Sequence, residues 1–297
     1  MKPNKIYNTD CIAGMAEKIE NESVDLIIAD PPYFRVIGEK WDYQWRTEED
    51  YLNWAKGWIS EASRVLRKGG SFYVFGYFRM LSRILPILET CGLALRQQII
   101  LNKGMQAASG RATKNYKMFP NVTESILFLY KDPRPFAKQF LLERQKELGL
   151  SAKEINEQLG VKANGGGMWS IYTGNNICKQ FPTEECWKKL QEILRFDLPY
   201  AKLCQTYNPQ MGLTDVWNDI SFYAEERFHP TQKPQKLLTR LLLASSNEGD
   251  LVLDPFMGGG STAVACIATK RKYIGFEINP EYYEQSLVRI KKTEFSS

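Results

Sequence analysis

The chain has 297 residues, 43% of them hydrophobic and 25% charged, with a formal net charge of +5. That length can bury a substantial core, as one large domain or a domain with a sizeable insertion, and the ordinary composition argues against disorder. The modest basicity is compatible with a polyanion partner without requiring one. No apolar run approaches membrane-spanning length and the N-terminal stretch lacks a signal-peptide core, so a cytoplasmic protein with no membrane partner is expected. Six scattered cysteines, no CxxC and a single histidine predict reduced thiols and no zinc site.

Ile6–Cys11 reads as a short strand with a polar end, and Ile12–Ile19 as a helix with Ile12, Met15, Ala16 and Ile19 on one face. Ser23–Ala29 is a near-continuous apolar strand of the parallel-sheet type, ending at Asp30-Pro31-Pro32-Tyr33. The two prolines stop sheet pairing and an immediate helix, which holds Asp30 and Tyr33 rigidly at the strand's carboxyl edge, where open α/β sheets place their ligands. Thr47 caps a helix from Glu48 to Val65 that stops at Gly69-Gly70. A strand over Ser71–Gly76, a helix over Met80–Leu88 and strands over Leu93–Leu101 and Glu124–Tyr130 follow. Alternating β and α of this kind predicts an α/β, doubly wound, mostly parallel sheet. Asn102–Asn121, with Lys103, Arg111, Lys114 and Lys117, reads equally as a basic loop at the active edge or as an ordinary solvated loop.

Asp132-Pro133-Arg134-Pro135 marks a boundary. Lys138–Leu148 reads as a charged helix. Ser151–Val161 opens on a capping box, Ser151 to Glu154, and resembles the first helix and turn of a helix-turn-helix, but the glycine-rich Lys162–Asn176 does not continue as a recognition helix. A further helix covers Glu184–Arg195. Residues 133–225 are therefore expected to form a mostly helical insertion, with 1–132 and 226–297 as the main domain. His229–Pro234 leads into the helix Gln235–Ser245, whose Leu237, Leu238, Leu241 and Leu242 face the sheet. The last helix runs from Pro280 through Ile290.

Between them lies LVLDPFMGGGST, Leu251–Thr262. It predicts a buried strand, a glycine turn and a helix opening with a Ser261-Thr262 hydroxyl cap, an arrangement that aims free amide N–H groups at a ligand. No Lys-Ser/Thr follows the glycines, which excludes a phosphate-gripping P-loop. Glu277 ends the next apolar strand, Lys272–Phe276, where an acid can bond ribose hydroxyls. An adenosine-type cofactor site is the reading.

Together, Asp30–Tyr33 and Asp254–Thr262 resemble the paired signature of the S-adenosylmethionine-dependent DNA amino-methyltransferases, which methylate adenine N6 or cytosine N4. The order, with the catalytic motif ahead of the cofactor motif and a variable region between, is similar to the permuted β class. The likeness covers roughly 5–130 and 226–293. It implies a Rossmann-like methyltransferase fold, with 133–225 in the place of the target-recognition region. It implies catalysis by Asp30, Pro31, Pro32 and Tyr33, with Tyr33 stacking on an extruded base. It implies a cofactor pocket shaped by Phe256, Gly258 and Gly260, with Asp254 at the methionine ammonium, Glu277 at the ribose, and Asp10 and Cys11 near the adenine. Thr231 and Lys233 would contact the methionine end, and His229, Ser261, Thr262, Asn279 and Asp30 itself belong to its surroundings. Aspartate rather than serine at position 30 favours adenine N6 in duplex DNA. Cytosine N4, an RNA or protein amino group, and a non-catalytic DNA-binding module are the alternatives. A homodimer is one assembly the resemblance allows, with the aromatics of 41–58 as its surface, in a prokaryotic or phage-encoded setting.

Overall fold

The computed structural model describes residues 2–34, 43–108, 119–161, 167–174, 180–223 and 232–295. It divides into two compact units, Met1–Lys131 with Gln205–Ser297, and Asp132–Cys204. The first is built on β1 (Lys5–Asn8), β2 (Val24–Ala29), β3 (Leu66–Gly76), β4 (Leu93–Asn102), β5 (Thr123–Lys131), β6 (Val216–Trp217), β7 (Leu251–Asp254) and β8 (Lys272–Glu277). They form one sheet in the order β1-β8-β7-β2-β3-β5-β4-β6, and only β5 runs against its neighbours. The expected mostly parallel, doubly wound sheet is therefore present.

Helices α1 (Cys11–Lys18), α2 (Glu48–Val65) and α3 (Phe78–Thr90) cover one face, and α8 (Gln235–Ser245), α9 (Ser261–Ala268) and α10 (Pro280–Glu294) the other. Alternation along β2 feeds both cores, with Ile27 and Ala29 on the first and Leu26 and Ile28 on the second. Sequence places α2 and α8 at their observed limits, because α2 starts with a reciprocal Thr47–Asp50 capping box and α8 follows Pro234.

Two local expectations fail. Gly69-Gly70 does not follow the end of a helix. The chain leaves α2 directly into β3, and the pairing passes from Val24↔Leu66 to Leu26↔Ser71 across an irregularity that Gly69 makes at φ +72. The hydroxyls after the glycine turn do not cap α9 either; its N-cap is Gly260 in the left-handed region, φ +79.

Most of the described aromatics of 43–58, suggested as a dimer surface, are turned inward, and Trp41 lies outside the described residues. Trp45, Tyr51 and Trp58 are buried, and with half-buried Trp54 they form a continuous cluster of tilted and edge-on rings. Among the described residues of that stretch only Tyr43 is an exposed large aromatic. No helix among the described residues is long and apolar enough to cross a membrane.

The second unit holds α4 (Arg134–Leu148), α5 (Ala152–Gln158), α6 (Gly167–Thr173) and α7 (Glu184–Leu194) around Leu141, Ile155, Trp169, Trp187, Leu190 and Leu194. The Ser151–Glu154 capping box forms reciprocally. Residues 205–223, which sequence reading grouped with the insertion, belong instead to the sheet unit: β6 extends β4, and Asn208 bonds the end of α8.

Candidate active site

Chain order along the sheet reverses between β2 and β7. From β2 the chain moves outward to β3, whereas from β7 it moves the other way to β8. At such a switch point the crossover helices diverge to opposite faces and leave a crevice at the carboxyl ends. β2 and β7 are paired there, Leu26↔Val252 and Ile27↔Leu253. Asp30 and Asp254, far apart in sequence, thus reach the same crevice. Its cavity of about 330 Å³ is lined from both motifs, including Asp30–Tyr33 and Asp254–Gly259.

The catalytic half is a dense polar cluster. Tyr33 Oη lies 2.8 Å from Asp30 Oδ1 and 2.8 Å from Glu124 Oε1. Lys233 Nζ lies 2.6 Å from Asp30 Oδ2, 3.1 Å from Glu124 Oε1 and 3.3 Å from Tyr33 Oη. Lys103 pairs with Glu124 Oε2. Glu124 and Lys233 are buried, while the Asp30 side chain keeps 18% exposure, enough for a substrate to reach it. Pro32 O accepts from Tyr51 Oη at 3.1 Å, which ties the proline turn to α2.

Burial raises the Asp30 carboxyl above its ordinary range, and the negative Glu124 adds to this, against the opposing pull of Lys233. Burial also acts to raise Glu124, but Lys233 and Lys103 outweigh it and hold that carboxyl low. Lys233 is held above the usual ammonium value, because the two carboxylates overcome its burial.

The other half follows β7 and β8. Asp254 Oδ1 accepts from the Phe256 amide at 2.9 Å and Oδ2 from Thr262 Oγ1 at 2.5 Å. Burial nonetheless pushes Asp254 up to about 7. Glu277 accepts from the amides of Gly258 (2.8 Å) and Asn279 (2.7 Å), so the acid fixes the glycine turn as it faces the cavity. Asp10 caps α1 through Ile12 and Ala13, and Asn279 caps α10 through Glu281 and Tyr282. Cys11 is a buried thiol whose pKa burial raises. Ser261 Oγ accepts from Arg289 at 2.7 Å. Phe256 rests on Trp54 and Trp58, with centroids at 5.8 and 5.2 Å, so the aromatic cluster supports the cavity wall that Phe256 and Trp54 line.

Of the residues expected from sequence, Asp10, Cys11, Asp30–Tyr33, Lys233, Asp254, Phe256, Gly258, Ser261, Thr262, Glu277 and Asn279 line this one cavity. Gly260 stands behind it, packed toward Ser286, and His229 and Thr231 lie outside the described residues. Lys233, expected at the methionine end, pairs with Asp30 and Glu124. Sequence reasoning missed Glu124 and read Lys103 only as part of a basic loop, where the structure pairs it with Glu124. The available signal was an acid in the apolar strand TESILFLYK, which an unpaired core position would not tolerate.

A family model described as DNA methylase, covering N6 and N4 methyltransferases, matches residues 24–288. The chain is 31% identical over 292 residues to the DNA adenine methyltransferase YhdJ of Escherichia coli (strain K12), covering 96% of this chain and 82% of that protein. It is 29% identical over 283 residues to the type II methyltransferase M.HpaI of Haemophilus parainfluenzae, covering 92% and 70%. The crystal structure of the M1.HpyAVI–SAM complex superposes with a TM-score of 0.57 at 19% identity, covering 96% of this chain and 98% of that one, a likeness of fold. With the family model spanning both motifs and the crevice between them, the chain belongs to the DNA methylase family of N6/N4 methyltransferases.

Proposed function

We propose that this chain transfers a methyl group from S-adenosylmethionine to N6 of an adenine extruded from duplex DNA. The observation that carries the reading is the meeting of Asp30 and Asp254 in one crevice at the switch point. The adenine assignment is supported by aspartate at position 30 and by the 31% identity to a DNA adenine methyltransferase. It acts where DNA and reduced thiols coexist, in a prokaryotic or phage-infected cytoplasm, and the helical unit Asp132–Cys204 takes the part of target recognition.

The cavity suits the cofactor. With Asp30 paired to Lys233, Asp10, Asp254 and Glu277 remain, among the described residues, as carboxyl groups on its walls without a lysine. That excess of negative charge favours a ligand carrying a sulfonium and an ammonium over one carboxylate. Phe256 offers apolar surface to an adenine ring, and Glu277 retains lone pairs for ribose hydroxyls. When bound, S-adenosylmethionine supplies an electrophilic methyl group.

The chain's own task is to make an aromatic amino group nucleophilic. The exocyclic lone pair is delocalised into the base. Asp30 accepts from one N–H and the Pro31 carbonyl from the other, and drawing both protons out of the ring plane moves nitrogen toward sp³ geometry and frees the pair. Tyr33, anchored by Asp30, Glu124 and the edge of Tyr77, gives the base a wall to stack on, since a base inside the duplex cannot reach the cavity. Positioning supplies most of the remaining acceleration. The test offers methyl-labelled cofactor together with duplex DNA, RNA or protein. Label in DNA alone, lost in Asp30→Ala, supports the proposal; label in RNA or protein alone overturns it.

A further inference from the structure

Three oxygens in the catalytic cluster form a chain, Asp30 Oδ1, Tyr33 Oη and Glu124 Oε1, with both links at 2.8 Å. Two hydrogen bonds need two hydrogens, and a tyrosine hydroxyl brings one. The Lys233 ammonium cannot supply the second, because its three hydrogens face Asp30 Oδ2, Glu124 Oε1 and, from 3.3 Å, the lone-pair side of Tyr33 Oη. If both carboxylates are ionised, one 2.8 Å contact sets two lone pairs against each other. A proton on one carboxyl removes the conflict. Glu124 is the poorer place for it, since Lys233 and Lys103 both hold that group in its charged form. A proton on Asp30 satisfies every group: Asp30 donates to Tyr33, Tyr33 donates to Glu124, and Glu124 accepts from tyrosine and two lysines.

We propose that Glu124 is a positioning residue that turns the Tyr33 hydroxyl toward itself, leaving Tyr33 Oη as an acceptor for Asp30 and so equipping Asp30 to take the proton released by the methylated amino group. The proposal rests on the N6-methylation reading above. In that reaction the amino nitrogen's lone pair forms the new N–C bond while the C–S pair goes to sulfur. The nitrogen then sheds one proton, its N–H pair returns to nitrogen, and the proton goes to Asp30. Before transfer Asp30 is ionised, and the N–H of the incoming base is the donor its Oδ1 lacks. After transfer the proton lies against Tyr33 Oη. Among the described residues, the charges acting on Asp30 are Lys233, Glu124 and Asp254, with Lys103 acting on Glu124. Glu124 alone among them touches both Tyr33 and Lys233. Glu124 reaches no substrate itself, being 1% exposed.

Tyr33→Phe gives opposite answers for the two orientations of the hydroxyl. If Tyr33 accepts from Asp30, losing it destabilises protonated Asp30 and lowers the carboxyl's pKa. If Tyr33 donates to Asp30, losing it raises that pKa. Infrared titration of the DNA-free protein reads the protonated-carboxyl band without turnover, with the Asp30 band assigned by its loss in Asp30→Asn. We expect the Asp30 midpoint to fall by about one pH unit in both Tyr33→Phe and Glu124→Gln, the tenfold change an ordinary hydrogen bond supplies. The acid limb of kcat should move the same way, kcat should drop at least about tenfold, and cofactor affinity should stay within about twofold. The double variant should be no worse than Tyr33→Phe alone. A midpoint that rises or stands still in Tyr33→Phe overturns the proposal, even if Glu124→Gln does not fold. Absence of methyl transfer by the wild-type protein would remove the N6 reading, while the infrared titration would still decide the orientation of Tyr33.

Discussion

Lys233→Met is the substitution whose cost the geometry defines best. The ammonium is 8% exposed and lies 2.6 Å from Asp30 and 3.1 Å from Glu124. Methionine keeps most of the volume and removes the charge. Glu124 retains Lys103, so Asp30 is left as a part-buried carboxylate without a cation in contact. Breaking a buried pair by deleting one partner costs about 3–5 kcal/mol, and at about 2 °C per kcal/mol for a chain of this size Tm should fall by about 6–10 °C. The pH dependence carries a definite sign. In the wild type, Lys233 has a folded pKa raised above its unfolded value, so its contribution is complete below the unfolded lysine value and is lost as pH rises through the folded one. Asp30 already has a folded pKa raised above its unfolded value, and losing Lys233 raises it further. The folded variant therefore gains on the unfolded chain by taking a proton as pH falls. Its deficit against wild type should be largest near pH 8 and shrink by up to about 1.4 kcal/mol per pH unit below the new Asp30 pKa. Urea denaturation of both proteins from pH 8 to pH 5 measures this. A deficit under about 1 kcal/mol, or one that is flat with pH, would refute the account of the ion pair.

Asp30→Ala should abolish methyl transfer while leaving cofactor affinity nearly unchanged, as read by calorimetry beside the transfer assay; loss of binding on a similar scale would contradict the assignment of Asp30 to the base. Asp254, raised to about 7, should make cofactor binding weaken as pH drops below 7, by at most about tenfold per unit. Thr262→Val, which deletes a hydrogen bond to the ionised carboxylate, should move that midpoint upward, and a constant Kd between pH 8 and pH 6 would count against it. Replacing Lys114 and Lys117 together with alanine should weaken DNA binding and flatten its salt dependence, with the slope of log K against log salt falling by about 0.9 for every phosphate that is no longer neutralised. An unchanged slope would dismiss the basic-loop reading of that segment, of which residues 109–118, with both lysines, lie outside the described residues.

The main frame was legible because its signals are local. Two prolines after β2 and three glycines after β7 mark where chain leaves the sheet, and each motif carries its acid at that point. Helix α2 was readable at both ends, since Thr47 and Asp50 announce its start and the apolar period holds to Val65. Gly69-Gly70 misled because glycine ends helices and permits strand irregularities through the same positive φ, and only pairing to β2 distinguishes them. The aromatics of 43–58 misled for a related reason. Half-polar spacing suggests a surface, whereas the cluster is consumed in supporting Phe256.

Glu124 and Lys103 were illegible as site residues. They come from β5 and the residue after β4, in the antiparallel part of the sheet, and join the cluster around Asp30 only through strand order. Lys233 illustrates the same limit. Its motif was recognised, yet its partners, Asp30 and Glu124, are 203 and 109 residues away and no spacing specifies them.

The most direct measurement is transfer of label from methyl-labelled S-adenosylmethionine to duplex DNA, followed by nucleoside digestion and chromatography. The account predicts label in N6-methyladenine, absent in Asp30→Ala. Label in N4-methylcytosine would keep the chemistry and overturn the base, and no label in DNA from a protein that binds the cofactor would contradict the account itself.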